Sequence, residues 1–184
     1  MFARLRIISI WLCLGVSFFV SIAQADKLPF MNQSKIRVVV SPGERAFGEI
    51  TLDNPTAESK SMRLYLEDWY YLSGGTGAKE FLPANSTPTS ACPWITFSPA
   101  EVVVPAFGKQ KINYSVNVPK NATGARFATL FFETLIGKGA LSDSGRSAGL
   151  DINVRVATLF YVEVKGTIER TAKISNLNIQ PSKD

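Results

Sequence analysis

Asp151-Ile152-Asn153-Val154-Arg155-Val156-Ala157-Thr158-Leu159-Phe160-Tyr161-Val162-Glu163-Val164 is the longest alternating run of the chain. Ile152, Val154, Val156, Phe160, Val162 and Val164 share one parity, against Asn153, Arg155 and Glu163 on the other. Side chains of an extended backbone point alternately to opposite faces, so a period of two predicts a β-strand with one apolar face. Just before it lies Gly137–Gly149, a stretch rich in Gly and Ser that reads as a loop. Before that, Ala125–Leu135 is apolar on both parities: Ala128, Leu130 and Phe132 on one, Phe127, Phe131 and Leu135 on the other. A strand of this kind belongs in the middle of a sheet, covered on both faces.

Working outward, the same signals recur. Lys111–Val118 alternates, with Ile112, Tyr114, Val116 and Val118 against Asn113, Ser115 and Asn117, and stops at Pro119. Glu101–Val104 stops at Pro105, and Trp94–Phe97 stops at Ser98-Pro99. Phe47–Leu52 ends at Asp53-Asn54-Pro55, and Ile36–Val40 ends at Ser41-Pro42-Gly43. Met62, Leu64 and Leu66 share a parity that Trp69 and Tyr71 do not, which a bulge near Glu67-Asp68 would reconcile. Gly74–Ser90 reads as a long polar loop. No stretch after the first 25 residues sustains a helical period. Short strands separated by turn signals predict an all-β fold: an immunoglobulin-like, mostly antiparallel β-sandwich of about seven strands, with a barrel as the alternative.

The N-terminus carries an address. Arg4 and Arg6 precede an apolar run from Ile7 to Val20, followed by Ala23-Gln24-Ala25. This is the layout of a signal peptide cleaved after Ala25, removing residues 1–25. The run is short for a bilayer span, which needs about 20 residues. A retained anchor and a lipoprotein are the alternatives; Cys13 sits mid-run, without the small residues a lipidation site places before its cysteine. Residues 26–166 then form one domain. Residues 167–184, with Ile174, Leu177 and Ile179 among polar neighbours, read as a tail or the start of a second domain. No later segment is long and apolar enough for a stable membrane span.

Composition excludes several function classes. The chain has no histidine and two cysteines, Cys13 and Cys92. Once Cys13 leaves with the signal peptide, no internal disulfide forms, and Cys92 among apolar neighbours is expected to be buried. A Ser-His-Asp or Cys-His nucleophile and an ordinary zinc site are ruled out. Glu67-Asp68 is the only adjacent acidic pair, and neighbours on a strand face opposite ways. No enzyme and no cofactor is expected. The formal charge of +5 at pH 7 is spread along the chain rather than gathered in a stripe, which argues against nucleic acid.

Several segments in order resemble one family. These are Ile36–Gly43; Thr51-Leu52-Asp53-Asn54-Pro55; Trp94–Pro99, then Val104-Pro105-Ala106-Phe107-Gly108-Lys109-Gln110; Val118-Pro119; Phe131-Phe132; and Leu159-Phe160-Tyr161. Over Lys35–Val164 the chain resembles the N-terminal immunoglobulin-like domain of periplasmic pilus-assembly chaperones, the PapD-like superfamily. The resemblance implies a periplasmic chaperone-like protein. It would lend its last strand to pilin-like secreted subunits, with an outer-membrane usher as a further partner. Such strand addition draws affinity from backbone bonds and selectivity from alternate side chains. Asp151–Val164 would be the donor, with Leu150, Ile152, Val154, Val156 and Phe160 as the inserted side chains. The other reading of that apolar face is core packing. The resemblance also implies an Arg and a Lys gripping a client carboxylate. Here Thr158 replaces the Lys before Leu-Phe-Tyr and Val162-Glu163 replaces the Arg-Pro after it, leaving Lys35, Arg37 and Arg155 as candidates. A structural or adhesive module of the cell envelope, without chaperone activity, is the competing function.

Overall fold

The computed structural model describes residues 28–143, 146–169 and 171, with side chains described for 28–134, 153–169 and 171. The expected signal peptide and most of the tail lie outside the described residues. Among the described residues ten strands form: β1 (Phe30–Met31), β2 (Lys35–Val40), β3 (Arg45–Asp53), β4 (Lys60–Tyr71), β5 (Lys79–Pro83), β6 (Ile95–Ser98), β7 (Glu101–Val104), β8 (Lys109–Asn117), β9 (Ala125–Asp143) and β10 (Arg146–Val164). A 3-10 turn, Cys92–Trp94, leads into β6.

Two sheets result. One has the order β1-β3-β8-β6; the other runs β2-β10-β9-β4-β5, with β7 alongside the first half of β4. Between the described strands all pairings are antiparallel except that of β2 with β10, and Ser90 adds an isolated parallel bridge to Phe127. The core lies between the sheets, which makes the molecule an immunoglobulin-like sandwich rather than a barrel. Ile50, Leu52, Ile112 and Val116 enter the core from the first sheet; Leu64, Leu130, Phe132, Phe160 and Val162 enter from the second. Each such side chain contributes about 1.5–3 kcal/mol by leaving water. The central place expected for Ala125–Leu135 is where β9 lies.

Two local devices set the strand ends. Pro42 and Gly43 occupy the middle of a turn in which Glu44 N–H donates to the Ser41 carbonyl at 3.1 Å, and Gly43 takes φ +82° there. Side chains rarely adopt that φ, whereas glycine does so freely. After β3, the fully buried Asn54 donates from Nδ2 to the carbonyls of Glu58, Val104 and Pro105 at 2.8, 3.2 and 2.9 Å. Its Oδ1 accepts from the Thr56 amide and hydroxyl.

Three expectations are corrected. The Gly74–Ser90 stretch is not all loop: it contains β5, whose Phe81 lies opposite Trp69. The Gly137–Gly149 stretch is paired backbone, because β9 and β10 continue as a hairpin out to Asp143 and Arg146. No bulge interrupts β4 at Glu67-Asp68; its register runs unbroken from Arg63 to Glu67 against β9 and from Glu67 to Tyr71 against β5. The change of parity instead reflects a strand with both faces covered. Met62 and Leu64 face the core between the sheets, and Trp69 is 1% exposed on the opposite, outer face.

Candidate functional site

The candidate donor strand has an unusual edge. β10 is paired with β9 from Arg146 to Glu163, with a register shift between Ile152 and Asn153, but β2 pairs with it only from Leu159 to Val164. Among the described residues, Arg146–Thr158 therefore has a strand on one side only. Leu159 N–H donates to the Ser34 carbonyl on the β2 side at 2.9 Å. By alternation, the backbone groups of Asn153, Arg155 and Ala157 point to that same, unpaired side. Such an edge is a template for another strand.

The candidate plug residues divide. Phe160 is fully buried in the core, with its ring 5.1 Å from that of Tyr114 in an edge-to-face pair. Val156 is half-buried and packs against the core, and Val154 is half-buried. Leu150 and Ile152 lie opposite Gly139 and Gly137 in the hairpin; their side chains are outside the described ones. Thr158, in the place of the family's lysine, is buried, and its hydroxyl donates to the Gln33 carbonyl at 2.7 Å.

The outer face of the six-stranded sheet carries an aromatic layer that the sequence reading missed. The Trp69 ring meets those of Tyr71, Phe127 and Tyr161 at 5.1, 5.2 and 5.1 Å, and Trp69 Nε1 donates to the Ala128 carbonyl at 3.1 Å. Farther along, Phe131 meets Tyr65 at 5.6 Å and Phe81 at 5.1 Å. Cations lie over these rings: Lys35 over Tyr161 at 4.3 Å, Arg155 over Phe131 at 4.3 Å and Lys79 over Tyr71 at 5.1 Å. Rings attract cations through the negative charge of their faces.

Lys35 and Arg37 lie two residues apart on one face of β2 and Arg155 lies on β10, and each meets a different partner. Arg37 is paired with Glu163 of β10. Arg155 is paired with Glu67 at 3.3 Å. Lys35 lines a cleft, which it shares with Lys79 of β5. Nothing in the local pattern around Lys79 marks it; the signal is tertiary, arising when β5 pairs with the end of β4.

A second cluster lies beneath the loop from β5 to the 3-10 turn. Asp68 is fully buried, and its carboxylate accepts from the Thr87 amide at 2.8 Å, the Thr87 hydroxyl at 3.0 Å, the Ser90 hydroxyl and the Cys92 thiol at 3.0 Å. Burial pushes its pKa up, but these donors outweigh burial and hold it below the ordinary carboxylate value. Cys92 is buried, as expected, and its thiol is pushed up to about 12, first by burial and then by the hydrogen bond to Asp68. The cluster has the chemistry of a pin between β4 and the loop, not of a nucleophile.

No family profile and no curated protein sequence matches the chain. Among solved structures, it is similar to the class 5 fimbriae chaperone CfaA at 12% identity and TM-score 0.47, over 75% of this chain and 57% of that one. It is similar to a chain of the CsuC–CsuE chaperone–tip adhesion subunit pre-assembly complex, from the archaic chaperone-usher Csu pili of Acinetobacter baumannii, at 10% identity and TM-score 0.49, over 76% and 58%. It is also similar to a PapD-like domain of human CEP192, at 14% identity and TM-score 0.43, over 78% and 92%. The chain spans a little over half the length of the two bacterial chains. It is an immunoglobulin-like β-sandwich, similar in fold to these chains.

Proposed function

We propose that this protein is a periplasmic chaperone-like protein that holds secreted, pilin-like subunits by strand addition to β10. The observation that carries the proposal is the edge at Arg146–Thr158, unpaired among the described residues, on a strand that β9 pairs on its other side. An incomplete sheet of a client finds unpaired backbone donors and acceptors there, in register with alternating Leu150, Ile152, Val154 and Val156. Phe160 is committed to the core and takes no part. The expected signal peptide supports a periplasmic address, and an outer-membrane usher would receive the loaded complex.

The test is capture from periplasmic extract by the mature protein, by Asn153→Pro and by Val154→Glu. Proline at residue 153 removes an edge donor that β9 does not use. Wild type should retain a subunit identified by mass spectrometry, with new amide protection confined to Arg146–Thr158. Both variants should stay folded and retain nothing. Equal capture by all three forms would exclude the free edge as the binding element. A second reading, a structural or adhesive envelope module, is favoured by one observation: Arg37 and Arg155 are each occupied by a carboxylate rather than gathered as a client anchor.

A further inference from the structure

The outer face of the six-stranded sheet holds a cleft of about 590 Å³ between the start of β2, the end of β4 with β5, and the middle of β10. Sites for small molecules span roughly 300–1,000 Å³. Its walls include Tyr71, Phe81, Leu159 and Tyr161, and Lys35 and Lys79 stand in it. The cleft is thus aromatic and apolar with two cations.

The arrangement of its polar groups is specific. Lys35 Nζ lies 4.3 Å from the centre of the Tyr161 ring, and Lys79 Nζ lies 5.1 Å from that of Tyr71. The Tyr71 and Tyr161 hydroxyls are 3.2 Å apart. In such a pair one hydroxyl donates to the other, which leaves one O–H free. Burial and the Tyr71 hydroxyl push the Tyr161 phenol up to about 12, so it stays a neutral donor across physiological pH. Two ammoniums therefore flank a free phenol donor.

Among the described residues no acid is paired with either ammonium. Arg37, Lys60, Lys109, Lys111 and Arg155 each face a carboxylate; Lys35 and Lys79, like Arg45, Arg63, Lys120, Arg126 and Lys165, do not, but Lys35 and Lys79 stand together in one cleft. Glu80, next to Lys79, hydrogen-bonds the Tyr70 hydroxyl instead. Ring faces offset part of the cost of holding two cations together, and an anion would offset the rest.

We propose that this cleft binds a free small-molecule carboxylate carried on a flat apolar body. The carboxylate sits between the Lys35 and Lys79 ammoniums and accepts from the free phenol hydroxyl, and the flat body lies against Phe81 and Leu159. The site stands independently of strand donation, because it uses side chains of the outer face and not the free backbone edge.

The experiment is a calorimetric and NMR titration of the mature chain with 2-naphthoate and with its neutral counterpart, 2-naphthamide. Naphthoate should bind saturably and roughly tenfold more tightly than the amide. Lys35→Gln and Lys79→Gln should each weaken naphthoate several-fold, and the double variant should bring it to the level of the amide. Lys79→Arg should retain binding, and Lys111→Gln, on the other sheet, should leave it unchanged. Thermal melts establish that each variant is folded. Equal binding of acid and amide, naphthoate binding unaffected by the double variant, or no saturable naphthoate binding would each overturn the proposal.

Discussion

The thiol of Cys92 donates to Asp68 Oδ1 at 3.0 Å, deep between β4 and the 3-10 turn. Among the described residues this carboxylate has no positive hydrogen-bond partner and accepts from Thr87, Ser90 and Cys92. Its charge is thus held by hydrogen bonds alone, and it ties the loop after β5 to the end of β4.

The pH dependence of stability follows from that shell. Asp68 is held below its ordinary value, and a depressed carboxyl contributes stability that is full above the unfolded pKa, near 3.9. The contribution is lost as pH falls through the folded value. Urea midpoints from pH 6 to pH 2.5 should fall below about pH 4 in wild type. Asp68→Asn should cost about 2 kcal/mol at pH 7 and flatten the acid limb. An unchanged acid limb in that variant would place the pH sensitivity elsewhere.

Cys92 should be chemically silent while the protein is folded. Attack requires the thiolate, and a thiol pushed up to about 12 and shielded from solvent supplies almost none at pH 8. Maleimide labelling of the mature protein should therefore proceed no faster than global unfolding and become rapid in urea. Rapid native labelling would mean that the loop over Cys92 opens locally. Asp68→Asn should accelerate labelling by loosening that loop.

The Gly48–Tyr114 pair gives a prediction at a single atom. The two residues face each other across β3 and β8, and a Cβ on Gly48 would lie 2.2 Å from the Tyr114 hydroxyl and 2.3 Å from the ring carbon bearing it. The ring fills the space a side chain would occupy and packs edge-on against Phe160. Gly48→Ala should cost about 1–3 kcal/mol through overpacking. In a Tyr114→Ala background the same change should cost much less, so a double-mutant cycle should show strong coupling. Additive costs would mean that backbone conformation, not the ring, demands glycine.

The strands were legible because their periodicity is local. Ile112, Val116, Leu130 and Phe160 are buried on the parity that alternation assigned to them. β5 was not legible, since Lys79-Glu80-Phe81-Leu82-Pro83 has weak alternation and gains its place only by pairing with β4. The shift of parity at Trp69 was visible, but its cause was not. A bulge and a second covered face leave the same trace in sequence, and the difference lies in Phe127 and Tyr161, distant in the chain and adjacent in the sheet. The cleft escaped for the same reason, since it needs β2, β4, β5 and β10 together. The free edge of β10 escaped because the length of β2 decides where pairing stops.

Asn54 provides the sharpest test of the turn after β3, because one atom of its amide does most of the bonding. Its Nδ2 faces three carbonyl oxygens, and its Oδ1 faces two donors on Thr56. Asn54→Ala removes both sets and leaves buried backbone carbonyls without a donor, a loss of about 2–3 kcal/mol. Asn54→Asp preserves shape but turns the donor into an acceptor, setting a buried negative charge against three carbonyl dipoles. At pH 7 it should cost more than Asn54→Ala although it changes fewer atoms. The introduced carboxyl would have its pKa raised in the folded state, since burial and the carbonyls favour the neutral form. Its penalty should therefore shrink as pH falls toward 4, opposite in sign to the Asp68 contribution. Urea melts of both variants at pH 7 and pH 4.5 separate the two effects. If Asn54→Asp proves milder than Asn54→Ala at pH 7, or its penalty grows on acidification, the carbonyl triad is not what anchors this turn.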